Sequence, residues 1–180
     1  MKENIVADTS FYICNISELN CPKLIEKYLE NYKFHIGFEI LSELPSALAN
    51  ENYFKNNVEL HKDDYSILWK PFFTRSKKHQ KDGEYNAIGI ALTLKIQNRL
   101  RHLILDDKKA KKFAKSNNFN LETHIVGTVE FIKISCFMDQ FITKGECLQY
   151  LEILYQKYHN QDRIANMLIK AMDDVRKYNE

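Results

Sequence analysis

Short apolar runs alternating with longer helical segments limit this chain more than any other feature. Residues 5–7 (IVA), 34–37 (FHIG), 103–105 (LIL) and 124–127 (HIVG) each read as a short buried strand. Between them, Leu24, Ile25, Tyr28 and Leu29 mark a helix over 23–32 behind Pro22. Ala87, Ile88, Ala91 and Leu92 mark another over 84–96, and a lysine-rich helix occupies 108–115. Strands alternating with helices predict an α/β protein, a three-layer α/β/α sandwich with a central, mostly parallel sheet.

The remaining segments fit around that frame. Ile40, Leu41, Leu44 and Leu48 give one face of a helix over 39–48, which Pro45 should kink or interrupt. Residues 50–69 read as one or two helices ahead of Lys70-Pro71-Phe72-Phe73, and 74–83 (TRSKKHQKDG) as an exposed basic loop. From Val129 the pattern is helical, over 129–137, 144–158 and 163–177. The expected organisation is an α/β domain over 1–137, with a helical extension over 138–180 packed on the same domain. At 180 residues and 44% hydrophobic content the chain can bury a core of one ordinary domain.

No apolar run approaches the roughly 18–20 residues that span a bilayer, and MKENIVADTS lacks the basic, apolar, small order of a signal peptide. A cytoplasmic protein with no membrane partner is expected. Cys14, Cys21, Cys136 and Cys147 form no CxxC pair and read as reduced, partly buried thiols without a role. The net charge of +2 is too mild to announce a nucleic-acid binder. The basic residues nevertheless cluster, at Arg75, Lys77, Lys78 and Lys81 and again at Lys95, Arg99, Arg101, Lys108, Lys109, Lys111 and Lys112. They matter only if they border an acidic site.

Such a site is readable in the sequence. Asp8 ends the first strand, Asp106 and Asp107 end the third, Glu43 lies on the helix after the second, and Glu84 opens the helix leading into the third. Each alone has an ordinary explanation as a helix cap, a first-turn dipole partner or a surface carboxylate. In an open parallel sheet, however, ligands bind outside the carboxyl ends of the strands. Right-handed winding can bring Asp8 and the Asp106-Asp107 pair to one sheet edge, with Glu43 and Glu84 delivered by helix starts. Carboxylates held together repel one another unless a cation neutralises them, and an all-oxygen set favours Mg²⁺ or Mn²⁺ over zinc.

With these residues in place, the sequence resembles the PIN-domain family, in the branch with a GE segment followed by a strand and a doubled aspartate. The matching pieces are IVADTS at 5–10, EILSELP at 39–45, DGEYNAIGIALTL at 82–94, LILDDKKAKKFA at 103–114 and IVGTVEFI at 125–132. Their order covers roughly the first three quarters of the chain. The resemblance implies a PIN-like sandwich and a metal-dependent ribonuclease, with toxin halves of bacterial toxin–antitoxin pairs among the family's members. Carried across, the family's acids fall on Asp8, Glu43, Glu84 and the Asp106-Asp107 pair, with a slight preference for Asp107. Thr9 or Ser10 supplies the neighbouring hydroxyl, and Thr128 the polar residue after the last strand. Pro45 and the long basic insertion within 50–81 depart from the pattern.

The function this implies is Mg²⁺- or Mn²⁺-dependent endonucleolytic cleavage of RNA, leaving a 5′-phosphate and a 3′-hydroxyl. Asp8, Glu84 and Asp106 or Asp107 would hold the ion or ions, with Glu43 as a ligand or as the group orienting the attacking water. Lys77, Lys78, Lys108, Lys109, Lys111 and Lys112 are candidates for gripping substrate phosphates. The implied partners are RNA, a cognate antitoxin if the chain is a toxin, and a second copy in a homodimer. Two rivals stand beside this reading. One is a catalytically silent binding module on the same fold. The other is a phosphoryl-transfer enzyme on a different acidic α/β scaffold, of which a haloacid-dehalogenase-like enzyme would want Asp-x-Asp where Asp8-Thr9-Ser10 stands.

Overall fold

The computed structural model describes residues 2–65, 68, 83–116 and 119–178. Strands β1 (Glu3–Ala7), β2 (Tyr32–Gly37), β3 (Val58–His61), β4 (Leu100–Ile104) and β5 (Ile125–Val126) form one five-stranded sheet in the order β3-β2-β1-β4-β5. Every pairing is parallel. The chain is therefore an α/β protein of the expected kind, with helices on both faces of the sheet.

Alternation along β2 separates the two faces. Phe34 points into a cluster of rings from α1 (Thr9–Ile13), α2 (Pro22–Asn31) and α8 (Thr128–Phe137), stacking on Phe11 with ring centroids 5.7 Å apart and meeting Tyr28 and Phe131 at 6.4 and 6.5 Å. Gly37, three residues on and facing the opposite way, abuts α6 (Gly83–Ile96), where a Cβ would overlap the side chain of Asn86. Helix α6 packs across β1, β2 and β4 and is buried nearly all round, which explains its weak amphipathic pattern.

Two local features follow from simple sterics. Leu44, preceding Pro45, is extended (φ −67°, ψ 146°), so the segment divides into α3 (Phe38–Glu43) and α4 (Ser46–Ala49) where an interruption was expected. After α1 the chain widens into a π-helical turn, Cys14–Glu18, closed by the Leu19 N–H donating to the Cys14 carbonyl. The stretch read as one or two helices over 50–69 is corrected: α5 (Asn52–Asn57) is a helix, but β3 follows it immediately. Val58, Glu59, Leu60 and His61 are all half-buried on an edge strand, so no continuous apolar run announces it. Most of the basic loop over 74–83 lies outside the described residues.

Helix α7 (Lys108–Ser116) follows β4, and α9 (Lys144–Tyr158) and α10 (Asp162–Lys177) close the chain. Helix α9 opens with a capping box between Thr143 and Glu146. It packs with α10 against α8, burying Leu151, Leu154, Leu168 and Val175, so the C-terminal helices share the core of the sheet-bearing part. All four cysteines are free thiols. Among the described residues no helix is long and apolar enough to cross a membrane.

Candidate acidic site and the cleft beside it

The strand order fixes where a site can form. The chain runs outward from β1 to β2 and β3, then returns to the other side of β1 for β4 and β5. The order reverses between β1 and β4, and helices leaving these two strands depart to opposite sides. A crevice opens outside their carboxyl ends. Ala7 and Ile104, the last residues of the two strands, are register partners there.

Asp8 stands at this reversal point, immediately after β1. Its backbone N–H donates to the Ile104 carbonyl at 3.0 Å, which extends the β1–β4 ladder by one step. Its Oδ1 accepts from the Phe11 N–H at 3.1 Å and caps α1, while Oδ2 accepts from the Asp106 N–H at 3.2 Å. The side chain is fully buried. Burial pushes its carboxyl up to about 7, the Asp106 charge pushes the same way, and Glu84 adds to both; the two N–H donors only partly offset them. A buried carboxylate beside two further acids is a group that calls for a cation or a proton.

Asp106 and Glu84 act on Asp8 directly, and Glu43 joins the elements that carry them. Asp106 is held by Thr128 at the start of α8, whose N–H donates to Oδ1 at 3.0 Å and whose hydroxyl donates to Oδ2. Glu84 lies in the first turn of α6 and is half-buried. Glu43, on the last turn of α3, accepts from the Thr9 hydroxyl through Oε2 and from the Gly83 N–H through Oε1 at 3.2 Å. It thus ties the residue after Asp8 to the residue before Glu84. Gly83 is required by this close approach, since a Cβ there would lie 2.5 Å from Glu43 Oε2 and 2.6 Å from Thr9 Oγ1.

Of the sequence-derived site residues, Asp8, Glu43, Glu84, Asp106, Thr9 and Thr128 therefore converge. Ser10 sits half-buried on the same turn as Thr9. Asp107, preferred over its neighbour from the sequence, has a different task. Its Oδ1 accepts from the Ala110 N–H at 2.7 Å and caps α7. The hydrogen bonds that join the doublet to Asp8 and Thr128 run through Asp106 instead.

A cleft of about 360 Å³ opens beside Asp106, lined among others by Lys111, Gly127, Lys133, Met167 and Lys170. A Cβ at Gly127 would sit 3.2 Å from both Asp106 Oδ1 and Lys111 Nζ, so the glycine leaves space between these two charged ends. Lys133 is already paired, with Asp174 at 2.9 Å and Glu130 at 3.2 Å. Of the lysines proposed for phosphate contact, Lys111 lines the cleft, Lys108, Lys109 and Lys112 are exposed on α7, and Lys77 and Lys78 lie outside the described residues. Lys170 was missed because α10 reads as an amphipathic core helix, and nothing in its own sequence says which acid it faces.

Asp8, Glu84 and Asp106 offer only oxygen donors, the kind a hard divalent cation such as Mg²⁺ or Mn²⁺ takes, but their ligand atoms do not all lie within 4.8 Å of one another. A second group of ligating side chains, His35, Glu59 and His61, lies toward the β3 edge of the sheet and was not anticipated. Comparison with protein-family models, curated proteins and solved structures finds no match for this chain.

Proposed function

We propose that the chain is a divalent-metal-dependent endoribonuclease with a PIN-like site, hydrolysing RNA phosphodiester bonds at the carboxyl ends of β1 and β4. The observation that carries this reading is the fully buried Asp8 carboxyl, raised to about 7 by burial and by the charges of Asp106 and Glu84, with Asp106 in turn bordering a cleft that Lys111 and Lys170 line. A Mg²⁺ or Mn²⁺ ion held by Asp8, Asp106 and Glu84 would act as a Lewis acid, activating water and neutralising charge on the phosphoryl group.

The chain's own residues supply the positioning. Thr128 locks both oxygens of Asp106, so this carboxylate enters the site with its rotamer already fixed. Glu43, held by Thr9 and Gly83, would orient the attacking water or accept its proton. Lys111 and Lys170 line the route by which a polyanion approaches and would grip phosphates flanking the scissile bond. A toxin role, with an antitoxin partner and a homodimeric assembly, is a narrower form of the same proposal.

The test is cleavage of structured and single-stranded RNAs with Mg²⁺ or Mn²⁺ by wild type and Asp8→Asn. Activity in the wild type and its loss in the variant is the expected result; equal activity in both would sink the assignment. Calorimetric titration with Mn²⁺ separates the silent-module alternative, which requires no cation binding that depends on Asp8 and Glu84.

A further inference from the structure

We propose that His35, His61 and Glu59 form a second metal site, suited to Zn²⁺ or a similar transition ion, on the β2–β3 side of the sheet. It is independent of the acidic site and of the nuclease reading. One ligand atom from each of the three residues lies within 4.8 Å of the other two. Parallel pairing sets this up: His35 and Glu59 are register partners, and His61, two residues beyond Glu59, projects from the same face of β3.

The hydrogen bonds around the two imidazoles decide which nitrogens face inward. Asn4 Nδ2 donates to the Arg99 carbonyl at 2.9 Å, so its Oδ1 is the atom presented to His35. His35 Nε2, 2.8 Å from that oxygen, must carry the hydrogen. His35 Nδ1 is then a lone pair, and it faces His61 Nε2 at 2.9 Å, which at present donates to it. On the far side, His61 Nδ1 is 3.2 Å from the Tyr65 hydroxyl. Tyr65 is itself seated by Gly89 of α6, where a Cβ would lie 2.6 Å from the tyrosine ring.

This arrangement is one step from a coordination sphere. A tetrahedral ion with Zn–N bonds of about 2.0–2.1 Å separates its nitrogen ligands by roughly 3.4 Å, so the rings need to part by about half an ångström and each tilt by roughly 35° to bring both lone pairs onto the ion. The proton on His61 Nε2 shifts to Nδ1 and is donated to the Tyr65 hydroxyl oxygen. No proton is gained or lost in this tautomer exchange. Both ligands then have the outer partners that metal-bound histidines use, Asn4 Oδ1 behind His35 and Tyr65 behind His61. Glu59 supplies the third ligand by swinging from its ion pair with Lys33, a pair near the surface with both side chains more than 40% exposed. Solvent takes the fourth position.

A histidine-pair site and the acidic site differ in spectrum, which makes the test selective. The full-length protein, stripped with chelator, is titrated with Co²⁺ and followed by visible absorption, since tetrahedral nitrogen-containing spheres give intense ligand-field bands and octahedral oxygen spheres weak ones. The expected result is one equivalent of intense bands in wild type and in Asp106→Asn, and their loss in His61→Ala and Glu59→Gln. Tyr65→Phe should weaken binding about tenfold. Lys33→Met should tighten it, because it frees Glu59 while leaving every ligand in place. Glu59, on the edge strand β3, and Lys33, on β2 beside it, both have partly exposed side chains, so their variants report on binding even if His61→Ala folds poorly. Absence of intense bands in wild type, or bands that persist unchanged in Glu59→Gln, would overturn the site.

Discussion

Replacing Asp8 with Asn should stabilise the metal-free protein at alkaline pH while removing its activity. In the fold this carboxyl keeps its proton to about pH 7, whereas its ordinary value is 3.8. Between those values the native state binds more protons than the unfolded chain, so stability falls as pH rises and is lowest above pH 7. At 1.36 kcal/mol per pH unit the penalty for ionising Asp8 in the cation-free fold approaches about 4 kcal/mol. Asn keeps the cap on Phe11 through its Oδ1 but turns an amide toward the Asp106 N–H, where Oδ2 now accepts, at a cost of about 1–2 kcal/mol at every pH. The net gain at pH 8 is about 2 kcal/mol, or roughly 4–8 °C in melting temperature for a chain of this size. Thermal melts of both proteins in chelator at pH 5 and pH 8 check this, and added Mg²⁺ should raise the wild-type melting temperature at pH 8 but not that of the variant. A variant less stable by the same amount at both pH values would refute the reasoning, because Asp8 would then be an ordinary ionised cap.

Other expectations follow from individual contacts. Asp107→Ala should cost about 1 kcal/mol through loss of the α7 cap and retain RNA cleavage, whereas Asp106→Ala should abolish cleavage; melting curves beside a cleavage assay separate the two. Gly83→Ala should lower cleavage at least tenfold with a melting shift of only a few degrees, since the displaced atoms are side-chain ends of Glu43 and Thr9 rather than backbone. Lys111→Ala should reduce the slope of log affinity for single-stranded RNA against log salt by about 0.7, measured by fluorescence anisotropy at several ionic strengths.

Sequence periodicity carried most of the architecture because the central strands are buried and continuous. Ile5, Val6 and Ala7 are fully enclosed, as are Leu103 and Ile104, and such runs cannot be read any other way in this context. Strand β3 was illegible for the opposite reason: it is an edge, and its Val-Glu-Leu-His sequence alternates without committing either face. The acids were legible by position, since a carboxylate after a buried strand is conspicuous. Their partners were not. That Glu43 grips Gly83, or that Lys170 shares a cleft with Asp106, depends on how α3 meets α6 and how α10 lies over α8, contacts between residues 40 and 64 positions apart that leave no local signal. The histidine group was hidden similarly, because His35 reads as one polar interruption of an apolar strand and His61 falls on the strand that went unrecognised.

The aspartate doublet shows why adjacency misleads at such a site. Both residues leave β4 at the same point, but the chain must also start α7, and the N-cap of a helix is called on to accept from an unpaired first-turn N–H two or three residues further on. Asp107 sits at that offset from Ala110 and is claimed by it. Asp106 is one residue nearer the strand, where its N–H meets Asp8 and its carboxylate meets Thr128. What brings Thr128 there is β5, only two residues long, whose register of Leu103 with Ile125 and Ile104 with Val126 delivers Gly127 and Thr128 level with Asp106. The short strand therefore matters less for sheet stability than for placement. A one-residue slip in its register would reverse which side chains face the crevice and leave Asp106 without the two donors that hold it toward Asp8.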